Sequence, residues 1–144
     1  MTLIYNTILV AVDGSKASEK AFEKALVLAK DNDAKLVVTH VVDSRTFATA
    51  EAYDRTLAER ADQYANELLD RYVENGKEKG VTNIEKHVEY GSPKVKISKD
   101  IAQTFEVDLI VCGATGLNAV ERFLMGSISE SITRYATCDV LIVR

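Results

Sequence analysis

Apolar positions along the chain alternate between unbroken runs and helically spaced stripes. Thr7, Ile8, Leu9, Val10, Ala11 and Val12 form a continuous, largely β-branched run that stops at Asp13, Gly14 and Ser15. That punctuation marks a strand buried on both faces that feeds a helix. Phe22, Ala25, Leu26 and Ala29 then share one helical stripe, and Ser15 or Ser18 can cap its first turn. Leu36 to Val42 repeats the buried-strand signature. Leu57, Ala61, Tyr64, Ala65, Leu68, Leu69 and Tyr72 keep helical spacing for more than four turns, and Gly76 reads as a left-handed stop. Residues 43 to 54 between them are ambiguous.

The second half has the same rhythm with one variation. Ile84, Val88 and Tyr90 alternate with Glu85, His87 and Glu89, the pattern of a strand with one wet face, as expected at a sheet edge. Ser92 and Pro93 make an N-cap and first-turn pair ahead of Ile97, Ile101 and Phe105. Asp108 to Cys112 reads as a fourth buried strand, Ser127 to Tyr135 as a fourth helix and Val140 to Val143 as a fifth strand. Four β-α units closed by a strand predict an α/β fold, an open parallel sheet with helices on both faces. In such sheets ligands sit beyond the carboxyl ends of the strands, which directs attention to residues 13 to 15, 41 to 44, 91 to 93 and 113 to 127.

Composition narrows the class. At 144 residues, 47% hydrophobic and 28% charged, the chain is expected to form one domain over residues 1–144. Its net charge of −4 lacks the basic excess that nucleic-acid or anionic-membrane binding uses, so neither partner is expected. No apolar run reaches the length of a membrane span, and no basic residue precedes Lys16 in the pattern of a secretory leader, which predicts a cytoplasmic location. Cys112 and Cys138 form no ligand cluster with His40 or His87 and read as buried thiols. Each histidine reads as a satisfied or solvent-facing strand residue.

Candidate chemistry gathers after the fourth strand, where Gly113, Gly116 and Gly126 fall within fourteen residues and Ser127 follows the last. Glycine admits close backbone approach, and the helix starting near Ser127 offers unpaired N–H groups to an anion. A phosphate cradle is one reading. The other is a capping box, Ser127 with Glu130, that satisfies the helix start internally. Arg122 reads as an exposed side chain that can swing toward phosphate charge. Asp13 either caps the following helix or accepts hydrogen bonds from a ligand.

Gly113-Ala114-Thr115-Gly116, nine residues from Leu117 to Met125, and then Gly126-Ser127 resembles the G-x2-G-x9-G-[S/T] motif of the ATP-binding branch of the universal stress protein family. Ile8 to Ser15, Leu36 to Val41, Gly91-Ser92-Pro93, Val107 to Val111 and Cys138 to Val143 resemble further landmarks of that family, in order along the whole chain. Ala114 and Thr115 depart from the family's frequent Ser with His or Arg. The resemblance implies an adenine nucleotide alpha hydrolase-like sandwich with strand order 3-2-1-4-5. It also implies ATP, or ADP or AMP, with Mg²⁺. Asp13 would bind chiefly the ribose, and Ala11 and the Val41 backbone the adenine. Gly113 and Gly116 would pass under ribose and phosphates, and Gly126, Ser127, Ile128 and Ser129 would close on the phosphate tail. A regulatory nucleotide-binding protein of the stress response is the function implied, with slow ATP hydrolysis as the alternative and a phospho-acceptor receiver, which lacks its acid cluster here, behind it. Strand order 3-2-1-4-5 would leave the apolar run 140–143 at an edge, where a homodimer is expected to cover it.

Overall fold

The structure, a computed structural model, describes residues 4–43, 55–115 and 126–144. Five strands, β1 (Thr7–Ala11), β2 (Lys35–Val42), β3 (Ile84–Tyr90), β4 (Leu109–Gly113) and β5 (Asp139–Val143), form one parallel sheet in the order β3-β2-β1-β4-β5. Helices α1 (Lys16–Asn32) and α2 (Arg55–Glu78) follow β1 and β2. The helix α3 after β3 is built of Pro93–Val95, a wider π turn over Lys96–Ile101 and Ala102–Thr104, and α4 (Ser127–Tyr135) precedes β5. The expected α/β architecture and strand order are those observed.

Alternation along the central strands sorts the core into two layers. Ile8, Val10, Leu36, Val38, Leu109 and Val111 pack with Phe22, Ala25 and Leu26 of α1 and with Leu68 and Leu69 of α2. On the opposite face Leu9, Val37, Ile110 and Cys112 pack with Ile97 and Ile101 of α3 and Ile132 of α4. Thus α1 and α2 cover one face, and α3 and α4 the other. Among the described residues no helix is long and apolar enough to cross a membrane.

Several local expectations are corrected. Gly76 does not stop α2, which continues to Glu78; the positive φ of 97° falls at Gly80 instead. Gly76 is small for another reason, since a Cβ there would meet Ile84 Cδ1 at 2.6 Å and Leu26 Cδ2 at 3.2 Å. Glycine lets this turn of α2 close on β3 and α1. The N-cap of α4 is Gly126 rather than Ser127, no side chain caps it, and Glu130 pairs with Arg134 at 3.0 Å, so no capping box forms. Cys112 is buried, and burial pushes its thiol up to about 12, whereas Cys138 is only half-buried.

The two sheet edges differ as the side chains dictate. On β3, Lys86 reaches Asp70 of α2 at 2.8 Å, Glu85 meets Lys35 at 2.8 Å, and the Tyr90 hydroxyl donates to Asp62 of α2. That hydrogen bond, with some desolvation, raises the Tyr90 phenol to about 12. The face of β3 that carries Ile84, Lys86, Val88 and Tyr90 is therefore tied to α2, while Glu85 on the wet face pairs with Lys35 of β2. On β5, Leu141 and Val143 lean on one core layer and Val140 and Ile142 on the other, all half-buried, and among the described residues β4 is its one neighbour in the sheet.

Candidate functional site

The chain leaves β1 for the α1 face and β4 for the α4 face, so a topological switch point opens between their carboxyl ends. Two segments meet there: Val12 to Ser18 after β1, and Gly113 to Thr115 with the start of α4 after β4.

The first segment is held at nearly every polar atom. Val12 N–H donates to Thr39 O at 2.9 Å, and the Val12 carbonyl is bonded by His40 Nδ1 at 2.8 Å. Because a carbonyl only accepts, Nδ1 carries the proton. Asp13 N–H donates to Ser18 Oγ at 3.2 Å, and Asp13 Oδ1 accepts from Ser15 N–H at 2.9 Å. Ser15 caps α1 by accepting from Ser18 N–H at 3.2 Å, while Ser18 Oγ donates to Ser15 O at 3.0 Å. The two serines divide the work that either could have done alone. Gly14 stands at φ 84°, where L side chains are strained, and a Cβ there would lie 2.8 Å from the Tyr64 hydroxyl. The outcome is a half-buried carboxylate whose Oδ2 has no protein partner among the described residues.

The second segment relies on main chain. Ala114 N–H extends the ladder to Val143 O at 3.0 Å, and Gly126 N–H donates to Ala114 O at 2.7 Å. Ser129, buried inside α4, directs its hydroxyl to Ala114 O at 2.9 Å and Gly126 O at 3.0 Å. This hydroxyl pins the start of α4 to the end of β4. A Cβ on Gly126 would come 3.3 Å from Ala114 O, so glycine keeps that junction tight. Gly113 answers to α1: a Cβ there would meet the carbonyl carbon of Ala17 at 2.9 Å. Its lack of a side chain is accounted for by helix packing.

Of the residues singled out in the sequence, Asp13, Gly113, Gly126, Ser127, Ile128 and Ser129 belong to the two segments flanking this switch point, and Ala11 ends β1 just before the first. Val41 lies one strand away and, like Ala11, is half-buried on the α3 and α4 side. Ser127 and Ile128 are exposed at the first turn of α4, whose N–H groups have no acceptor within the helix. Gly116 and Arg122 lie outside the described residues, as do 44 to 54 of the ambiguous stretch. His40 and His87 are not brought together: they stand on neighbouring strands but on opposite faces, His40 edge-on to Tyr64 of α2 and His87 edge-on to Phe105. His87 Nε2 approaches Glu89 Oε2 at 3.2 Å. Desolvation raises the Glu89 carboxyl, but the bonds from His87 and Tyr90 N–H outweigh it and leave the value lowered.

The sequence reading passed over three contributors: Ser18 in its ligand of Asp13 N–H, His40 at the Val12 carbonyl, and Tyr64 beside Gly14. Only Ser18 left a trace, its spacing of three from Ser15. The other two act across the sheet. Chemically, the site sets a hydrogen-bond acceptor, the Asp13 carboxylate, across the switch point from main-chain donors at a helix start. Among the described residues no group of three or more His, Cys, Asp or Glu side chains is able to hold a metal ion.

Comparison with known proteins gives this geometry a context. The profile of the universal stress protein family matches residues 4–144. A curated Staphylococcus haemolyticus sequence bearing the universal stress protein name is 52% identical over 142 residues, covering 99% of this chain and 86% of the relative. Universal stress protein UspA from Lactobacillus plantarum superposes with a TM-score of 0.88 at 32% identity, covering 99% and 100% of the two chains. A universal stress protein crystallised in complex with cAMP is 27% identical with a TM-score of 0.71, covering 99% and 98%.

Proposed function

The chain belongs to the universal stress protein family, and from that premise we propose that it is a regulatory protein that binds ATP at the β1–β4 switch point. The observation that carries the reading is the Asp13 carboxylate, prearranged by its own loop with Oδ2 open, across the switch point from the donor-bearing first turn of α4. A carboxylate suits ribose hydroxyls, and a helix start suits phosphate. The relative crystallised with cAMP supports an adenine nucleotide as the ligand class.

In this reading Ala11 and the Val41 main chain hold adenine, Asp13 holds the ribose, and Gly113 and Gly116 pass beneath ribose and phosphates. Ser127, Ile128 and Ser129 offer N–H groups to the phosphate tail, and Gly126, whose own N–H is held by Ala114 O, closes on it without a side chain. Ser129 contributes its main chain alone, because its hydroxyl is committed to Ala114 and Gly126. Mg²⁺ would arrive on the phosphates, whose charge it offsets, with few ligands from the protein. The contributing groups bind and orient, and the Cys112 thiol stays neutral inside the core. Turnover is therefore expected below about 1 per second, the floor of ordinary enzymes, with slow hydrolysis as the variant of this reading. A cytoplasmic location goes with the nucleotide ligand.

Calorimetric titration with Mg-ATP tests the site. The wild-type protein should bind, and Gly126→Val, which pushes α4 off the Ala114 carbonyl, should abolish binding while its far-ultraviolet spectrum stays folded. Equal affinity in both proteins would remove the site. We also propose a homodimer paired through residues 140–143, since β5 presents a half-buried apolar edge. Light scattering that returns a monomer mass across micromolar concentrations would refute it.

A further inference from the structure

Asp13 is bracketed by two side chains that do not come from its own loop. On its amino side the Val12 carbonyl is held by His40 Nδ1 at 2.8 Å, from β2. On its carboxyl side the Tyr64 hydroxyl, from α2, fills the space beside Gly14, where a Cβ would lie 2.8 Å away. The two side chains also touch each other, with ring centroids 5.9 Å apart and planes at 77°. His40 thus bonds the peptide that enters Asp13, and Tyr64, in ring contact with His40, stands over the residue that follows it. We propose that this pair positions Asp13 for the nucleotide's ribose hydroxyls, so that ribose recognition is set from β2 and α2 as well as from the β1–α1 turn.

The physical case rests on where freedom remains. Ser15 and Ser18 fix the Asp13 amide and Oδ1, yet both belong to the start of α1 and move with it. The Val12 carbonyl sets the peptide plane that enters Asp13, and His40 is the side chain that ties this plane to a neighbouring strand. Gly14 at φ 84° gives the exit peptide a conformation that glycine adopts freely, and the Tyr64 hydroxyl limits its swing on one side. A hydrogen-bond acceptor displaced by a fraction of an ångström loses much of its directional bonding, so positioning is felt in affinity for the group that is bonded.

The inference rests on the ATP-binding reading, and ATP compared with 2′,3′-dideoxy-ATP separates the two. By calorimetry, wild type should bind both nucleotides, ATP more tightly. His40→Leu should weaken ATP about tenfold, equivalent to about 1.4 kcal/mol, and leave dideoxy-ATP nearly unchanged. His40→Asn, whose Nδ2 occupies the place of Nδ1 and also donates, should restore ATP affinity. His40→Leu combined with Asp13→Asn should be no weaker than Asp13→Asn alone, because both changes remove one interaction. Tyr64→Phe, at a half-exposed position that leaves the core intact, should give a smaller loss of the same selectivity, and it decides the matter if His40→Leu does not fold. Absence of nucleotide binding by wild type would overturn the functional reading itself. Binding by wild type with both nucleotides weakened equally in His40→Leu and Tyr64→Phe, or with additive losses in the double variant, would overturn the positioning role alone.

Discussion

The two segments that meet at the switch point solve one problem in opposite ways. After β1, the backbone is held mainly by side chains: apart from Val12 N–H on Thr39 O, the bonds from Val12 to Ser18 come from Ser15, Ser18, His40 and the Asp13 carboxylate itself. After β4, the backbone is held by backbone, Gly126 N–H on Ala114 O and Ala114 N–H on Val143 O, with the single hydroxyl of Ser129 added. The first arrangement leaves a fixed charged group facing outward. The second leaves the main-chain donors at the start of α4 without a side-chain cap. A site for a ligand with both hydroxyls and phosphates needs one of each.

The largest effect should come from removing the distinction between packing glycines and ligand glycines. Gly113→Ala places a Cβ 2.9 Å from the Ala17 main chain, which cannot yield without moving α1. We expect a loss of about 1–3 kcal/mol from overpacking, seen as a fall in melting temperature of roughly 3–10 °C. A melting temperature equal to wild type would show that α1 gives way freely and that Gly113 answers to something else.

A middle-sized effect should separate the two serines. Ser18→Ala strips Asp13 N–H of its acceptor on the side-chain-built turn and removes the hydroxyl's bond to Ser15 O. Ser129→Ala removes a donor from two carbonyls that keep main-chain partners, Gly126 N–H on Ala114 O and Glu130 N–H on Gly126 O. Denaturant unfolding should therefore show about 1–3 kcal/mol lost in the first variant and about 1 kcal/mol in the second. Equal losses would argue that the β4 segment depends on its side chain as much as the β1 segment does.

The smallest expected change tests the electrostatics of the main-chain-built segment. Glu130 lies in the first turn of α4 and is paired with exposed Arg134. Glu130→Gln should leave stability within about 0.5 kcal/mol, since exposed pairs contribute little. Mg-ATP affinity should rise about twofold as a negative charge leaves the helix start. Weaker binding would place the phosphate elsewhere.

Much of the fold was legible because the central strands are so apolar. Ile8 to Val10, Leu36 to Val38 and Leu109 to Val111 are buried on both faces, and such runs have few alternatives to a covered parallel sheet. The misreadings share a cause. Local rules make Gly76 a helix stop and offer Ser127 as one half of a capping box, yet the surroundings are non-local: Ile84 and Leu26 crowd Gly76, while Ser129 and Gly126 close the junction at the start of α4. Glycine in a sequence signals that a side chain is unwelcome, without saying whether a helix, a ligand or a positive φ excludes it.

Element order, the two-layer core and the turns to inspect after the first and fourth strands were determined by the sequence alone. They depend on periodicity and short-range punctuation, which the chain carries in consecutive residues. Tertiary structure decided which atoms of those positions remain open. His40 from β2 and Tyr64 from α2 reach the turn around Asp13, Ala17 of α1 takes the space over Gly113, and Ser129 commits its hydroxyl to the β4 end. Those contacts join residues from separate strands and helices, and their distances are set by sheet register and helix packing, which no local pattern encodes.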